Sequence, residues 1–180
     1  MTQAMTTKIS PAGAGTGAMQ AAQDNAVGSQ YLTFALAHEQ YGVDILRVQE
    51  IKGWTPVTHI PNAPAYLKGV LNLRGTIVPI VDLRMRFSLE EIEYTPTTVV
   101  IVLSLVADGR ERTFGIVVDA VSDVLNIHTA DIRPKPDFGT AVDADFISGL
   151  ATVGDSMVML LDIDRLLRPD EINAIASVSE

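Results

Sequence analysis

Asp82 and Asp162 each close a run of branched apolar residues, eighty positions apart. A pair of carboxylates is the raw material of general acid–base catalysis. The competing role is structural: an aspartate at a strand end accepts hydrogen bonds from the free amides of a following helical turn. The capping role is preferred, because duplication alone would place the two equivalently. His38, His59 and His128 are scattered and lack the H-x-x-x-H spacing of a zinc site, so no metal is expected. Gly13, Gly15 and Ala18 match G-x-G-x-x-A formally. No strand pattern precedes them and no helix pattern follows, so they read as linker. No G-x-S-x-G elbow and no phosphate-binding loop occurs. The absence of cysteine removes disulfides, thiolate catalysis and sulfur-ligated zinc. Glu90, Glu91 and Glu93 read as a solvated linker, and Trp54 as either a binding anchor or packing. No catalytic set emerges, no cofactor is expected, and binding is the remaining chemistry.

The bulk composition agrees. The chain has 180 residues, 22 acidic and 13 basic, for a net charge of −9. That length fits one ordinary domain or two very small ones. The acidity argues against nucleic acid and against a polybasic membrane surface. No apolar run approaches about 18 residues, so no direct membrane insertion is expected. Residues 1–29 are mostly small and polar, read as a disordered tail, and carry no signal-peptide core; a cytoplasmic protein is expected. The charge is uneven. Residues 31–89 hold six basic and four acidic side chains, and residues 90–180 hold six basic and seventeen acidic.

The elements that must position any site are short. YLTFALAH, QYGVDIL, GTIVPIVDL, TTVVIVLSLV, RTFGIVVDAV and DSMVMLLDI are rich in Val, Ile, Leu and aromatics and bounded by Gly, Pro, Asn or Asp. That is strand chemistry at strand length. Several runs are apolar on both faces and so belong between layers. Pro79 suggests an edge or a bulge. Asp108-Gly109 marks a hairpin. Short helical pieces are expected at 63–66 and 83–87, and a C-terminal helix over Pro169–Val178. The class is mainly β with minor helix.

The chain also repeats itself. Tyr41–Ile51 aligns with Phe114–Val124 at an offset of 73, and Tyr66–Leu83 with Phe146–Ile163 at an offset of 80. Gly42 meets Gly115, Val48 meets Val121, Gly69 meets Gly149 and Asp82 meets Asp162, whereas Arg74 meets Gly154 and Asn72 meets Thr152. Two similar β units of about 60–70 residues are implied, each too small to bury a large core alone, so they should pack together. Ile45, Val48 and Ile51 follow a spacing of three. They read either as anchors of a groove that seats a partner helix or as ordinary core between the units.

The linked motifs GVDILRVQEI and KGVLNLRGTIVPIVDLR, followed by TTVVIVL and FGIVVDAVSDVLNI, resemble the CheW family of chemotaxis coupling proteins over about residues 30–168. The resemblance implies two tandem five-stranded SH3-like β-barrels on a shared hydrophobic core. The first would span about 31–90 and the second about 97–168, with strand exchange shifting the split, and 169–180 would form a C-terminal helix or tail. It implies a non-enzymatic adaptor in the cytoplasm, peripheral to the inner membrane through receptor arrays. Its partners would be the cytoplasmic hairpin tip of chemoreceptors and the CheW-like regulatory domain of the histidine kinase CheA. By motif position, Leu32, Ile45, Val48, Ile51, Val121 and Val99 would line the receptor groove. Glu50, Val57, Leu71, Asn72, Leu73 and Arg74 would form the kinase-binding face, with Glu50 and Arg74 as an ion pair. Adaptor and kinase domain would meet head to tail, first barrel against second, with the uneven charge aiding orientation. The alternatives are a CheW-like module of another signalling adaptor and a small-molecule-binding β-barrel.

Overall fold

Strands that are apolar on both faces need a layer on each side, and the chain supplies them by crossing between two sheets. The computed structural model describes residues 28–137 and 144–167, with residues 170, 171, 173 and 177. Among these the strands are β1 (Gly28–Leu36), β2 (Glu39–Asp44), β3 (Val48–Gly53), β4 (Leu67–Leu73), β5 (Thr76–Asp82), β6 (Val99–Ala107), β7 (Arg110–Val118), β8 (Ala120–His128), β9 (Ile132–Arg133), β10 (Ile147–Val153) and β11 (Ser156–Leu161). The one-turn helices α1 (Leu83–Arg86) and α2 (Ile163–Leu166) follow β5 and β11. One sheet has the order β8-β1-β2-β11-β10-β9 and the other β3-β6-β7-β5-β4.

Those orders are the repeat made visible. The mates β2/β7, β3/β8, β4/β10 and β5/β11 take the same places in opposite sheets. The five-stranded sheet therefore takes three strands from the first copy and two from the second, and the six-stranded sheet two from the first and four, counting β9, from the second. The chain crosses between sheets from β2 to β3, through a 3-10 turn at Ile45–Arg47, and again from β7 to β8. The six-stranded sheet has one strand more than the motif implied because of two-residue β9. Its counterpart beside β4 is a single bridge, Thr58 with Val70.

Burial follows the period of two along each strand. In β6, Ile101, Leu103 and Leu105 enter the main core with Leu32, Phe34, Val43 and Ile116, while Val100 and Val102 enter a second cluster with Val78, Ile80 and Val117. A third cluster, Ile127, Ala151, Val158 and Leu160, backs the six-stranded sheet. Gly42 and Gly115 sit at equivalent places on the parallel pairings with β11 and β5.

The hairpin at Asp108-Gly109 is present, with both residues at positive φ as a two-residue turn of this kind requires. Pro79 departs from expectation. It lies in the interior strand β5, one residue before the parallel ladder to β7 begins at Ile80, so its missing donor removes no rung of that ladder. The helical piece expected at 63–66 is a turn, closed by Leu67 N donating to Pro64 O (3.0 Å). Pro64 turns Ala63 away from helical geometry. The motif at 13–18, the 1–29 tail except Gly28 and Ser29 in β1, and most of the expected C-terminal helix lie outside the described residues.

Candidate functional site

Asp82 and Asp162 are caps. Asp82 Oδ1 accepts from the amides of Arg84 (3.0 Å) and Met85 (3.4 Å), and Asp162 Oδ1 from that of Asp164 (3.0 Å). Asp82 has a further partner, the Tyr94 hydroxyl at 2.6 Å, and is almost wholly buried. Burial first, and then that bond, push the Tyr94 phenol far above its ordinary value. Trp54 packs on Tyr94, with ring centroids 4.3 Å apart, over the second cluster. His38 lies in the β1–β2 turn, His59 between β3 and β4, and His128 at the end of β8. Glu90, Glu91 and Glu93 are exposed, and Glu91 pairs with Lys68 at 3.5 Å.

Five of the six apolar candidates belong to or pack against one core. β3 and β8 are the mated edge strands of the two sheets. Val48 on β3 and Val121 on β8 pack half-buried against the same main core as Ile45 and Val99. The turn carrying Ile45 rests on both β1 and β6, the strands next to those edges. Leu32 is only 2% exposed and lies beneath as floor. Ile51 stands 44% exposed on β3. Motif carry-over missed Val124, which is 49% exposed on β8. The offset of 73 names it: Val124 is the mate of Ile51. Val48 and Ile51 on the β3 edge are thus repeated as Val121 and Val124 on the β8 edge, an apolar strip on each.

The second candidate set gathers at the β4–β5 hairpin. Val57, Leu71 and Leu73 are half-buried over the second cluster. Asn72 Oδ1 accepts from Gly75 N (2.8 Å) and ties the turn. Arg74, its side chain 80% exposed, forms an ion pair with Glu50. β3 and β4 are opposite edges of the five-stranded sheet; the ion pair runs from β3 to the β4–β5 turn, and the Thr58–Val70 bridge ties the β3–β4 connection to β4. A shallow cleft of about 200 Å³ lies under the pair, lined by Leu73, Thr76, Val102 and Thr113. Charge is unequal between sheets: strands of the five-stranded sheet carry Lys52, Lys68, Arg110 and Arg112 against Glu50, Asp82 and Glu111. The six-stranded sheet carries Arg133 against Glu39, Asp44 and Asp123.

A model of the CheW-like domain family matches residues 30–171. The chain belongs to the CheW family. A Klebsiella aerogenes relative named chemotaxis protein CheW is 46% identical over 154 residues, 86% of this chain and 90% of the relative. The Rhizobium meliloti chemotaxis protein CheW is 37% identical over 82% of this chain and 92% of its own length. The crystal structure of the scaffolding protein TtCheW from Thermoanaerobacter tengcongensis superposes with a TM-score of 0.71 at 31% identity, covering 80% of this chain and 95% of that one. By family, then, this is a chemotaxis scaffold of the adaptor type. Among the described residues no helix is long and apolar enough to cross a membrane.

Proposed function

We propose that this CheW-family chain is a non-enzymatic adaptor that couples the cytoplasmic hairpin tips of chemoreceptors to the regulatory domain of the histidine kinase CheA, in the cytoplasm beneath receptor arrays. The observation that carries the reading is the paired apolar strip, Val48 and Ile51 on one edge strand and Val121 and Val124 on its mate. It is a two-sided bed of the kind an amphipathic helix lays its apolar face into. Ile45 and Val99 continue the bed and Leu32 supports it. Glu50 on β3, Val57 in the β3–β4 connection, and Leu71, Asn72, Leu73 and Arg74 on the β4–β5 hairpin form the kinase face. Adaptor and kinase domain meet head to tail, with the charge difference between sheets aiding orientation. The test is a pull-down with a receptor-tip helical hairpin and with the kinase regulatory domain, each alone and together. Binding of both at once is expected. Failure to bind either overturns the reading.

A further inference from the structure

Two bidentate ion pairs tie the crossovers to the one-turn helices. Arg84 on α1 holds Asp119, between β7 and β8, with Nε–Oδ1 2.8 Å and Nη2–Oδ2 2.6 Å. Arg47, between β2 and β3, holds Asp164 on α2, with Nη2–Oδ2 2.8 Å and Nη1–Oδ1 3.3 Å. The places are equivalent in the two copies: Arg84 is the mate of Asp164 at the offset of 80, and Asp119 adjoins Ala120, the mate of Arg47 at the offset of 73. The polarity is reversed. In one clasp the helix supplies the arginine and the crossover the aspartate; in the other the helix supplies the aspartate and the crossover the arginine.

That reversal has a consequence for pairing. In the observed fold the crossover of each copy meets the helix of the other, and both meetings join opposite charges. Suppose two chains instead exchanged strands like with like, first copy with first and second with second. The crossover arginine Arg47 would then meet Arg84, and Asp119 would meet Asp164. Like charges at hydrogen-bonding distance repel, and most strongly where water is partly excluded. The Arg84 and Asp119 side chains are only 12% and 24% exposed. Near-equivalent copies otherwise make such exchange a low-cost route to dimers.

We infer that the two opposed clasps are a pairing code that makes the first copy join the second and rejects homotypic strand exchange with a second copy of this chain. Arg47→Asp with Asp164→Arg tests it at the more exposed clasp, whose side chains are 33% and 44% exposed. The native clasp keeps opposite charges, but the like-with-like meetings become opposite as well. The full chain and this variant are unfolded in guanidinium, refolded over a range of protein concentrations, and separated by size with light scattering. The wild type returns as monomer, and the variant gains a dimer fraction several-fold larger at matched concentration. Adding Arg84→Asp with Asp119→Arg restores opposed polarity, and the monomer fraction should return. An unchanged monomer fraction in the double variant overturns the inference. So does a dimer that persists in a folded quadruple variant, since a local packing defect would produce that. Receptor and kinase binding are not read, so the outcome is independent of the adaptor role.

Discussion

Arg74 occupies the left-handed turn position that Gly154 fills in the second copy, at φ +52° against +59°. A side chain there costs about 1–2 kcal/mol. Glycine removes that strain but restores about 0.5–1 kcal/mol of unfolded-chain entropy, and the lost pair between exposed Arg74 and half-buried Glu50 is worth about 0–1 kcal/mol. The first copy therefore keeps an arginine where backbone geometry favours glycine. Arg74→Gly should leave stability within about 1 kcal/mol of wild type by denaturant titration, while capture of the kinase domain weakens at least about tenfold. A variant that binds as tightly as wild type removes Arg74 from the kinase face.

The paired aspartates give unequal outcomes. Asp82 caps two amides and accepts the Tyr94 hydroxyl while buried; Asp162 caps one amide and is partly exposed. Asp82→Ala should cost about 2–3 kcal/mol, since it strands buried donors, and Asp162→Ala about 1 kcal/mol. The phenol adds a pH signature. With its folded pKa above the ordinary 10.0, the Tyr94 contribution is complete below pH 10. It is lost as pH rises further, because the unfolded chain releases the proton first. Tyr94→Phe should make the alkaline decline shallower by about one proton. An unchanged slope in urea titrations from pH 9 to 11 would count against the buried Tyr94–Asp82 bond.

The bulge glycines Gly69 and Gly149 are mates with different neighbours. Gly69 sits at φ +149°, and a Cβ there would collide with the Thr58 carbonyl oxygen, a backbone atom. At Gly149, whose φ is not in the left-handed region, the nearest atom is a side-chain methyl, Ile132 Cγ2 at 2.7 Å, and the nearest backbone atom, the Arg133 carbonyl oxygen, is farther off at 3.1 Å. Gly69→Ala should therefore lose more than about 2 kcal/mol and Gly149→Ala about 1 kcal/mol, with the order of the two midpoints as the decisive measurement. Equal losses would mean that the backbone at Thr58 yields as readily as the Ile132 side chain.

Much of this was legible in the sequence because local rules govern it. The Asp108-Gly109 hairpin, the capping aspartates and the strand runs depend on near neighbours alone. The offsets of 73 and 80 gave the duplication, and with it the equivalence of Gly69 and Gly149. What local pattern does not carry is which strand pairs with which. Nothing in Tyr41–Ile51 states that β2 joins a sheet with β11 while β3 joins β6, since either face satisfies an apolar run. For the same reason Arg47 and Asp164, 117 positions apart, could not be matched from spacing. Leu32 and Ile51 look alike by motif. Only the sheet order separates a buried floor from an exposed contact.

That separation decides which substitutions report on binding alone. Leu32 is closed off from solvent, so a charge there would unfold the main core before it touched a partner. Ile51 and Val124 are 44% and 49% exposed, so a glutamate at either keeps its carboxylate in water. Each should cost less than about 1 kcal/mol of stability. An amphipathic helix seated on the strip would have to desolvate that carboxylate without a partner, which costs far more than the lost apolar contact. Ile51→Glu and Val124→Glu should each weaken capture of the receptor-tip hairpin at least about tenfold, with kinase-domain binding unchanged. Because the strip repeats across the two copies, Val124→Glu should match Ile51→Glu. A receptor affinity sensitive to Ile51 but indifferent to Val124 would confine the helix to the β3 side.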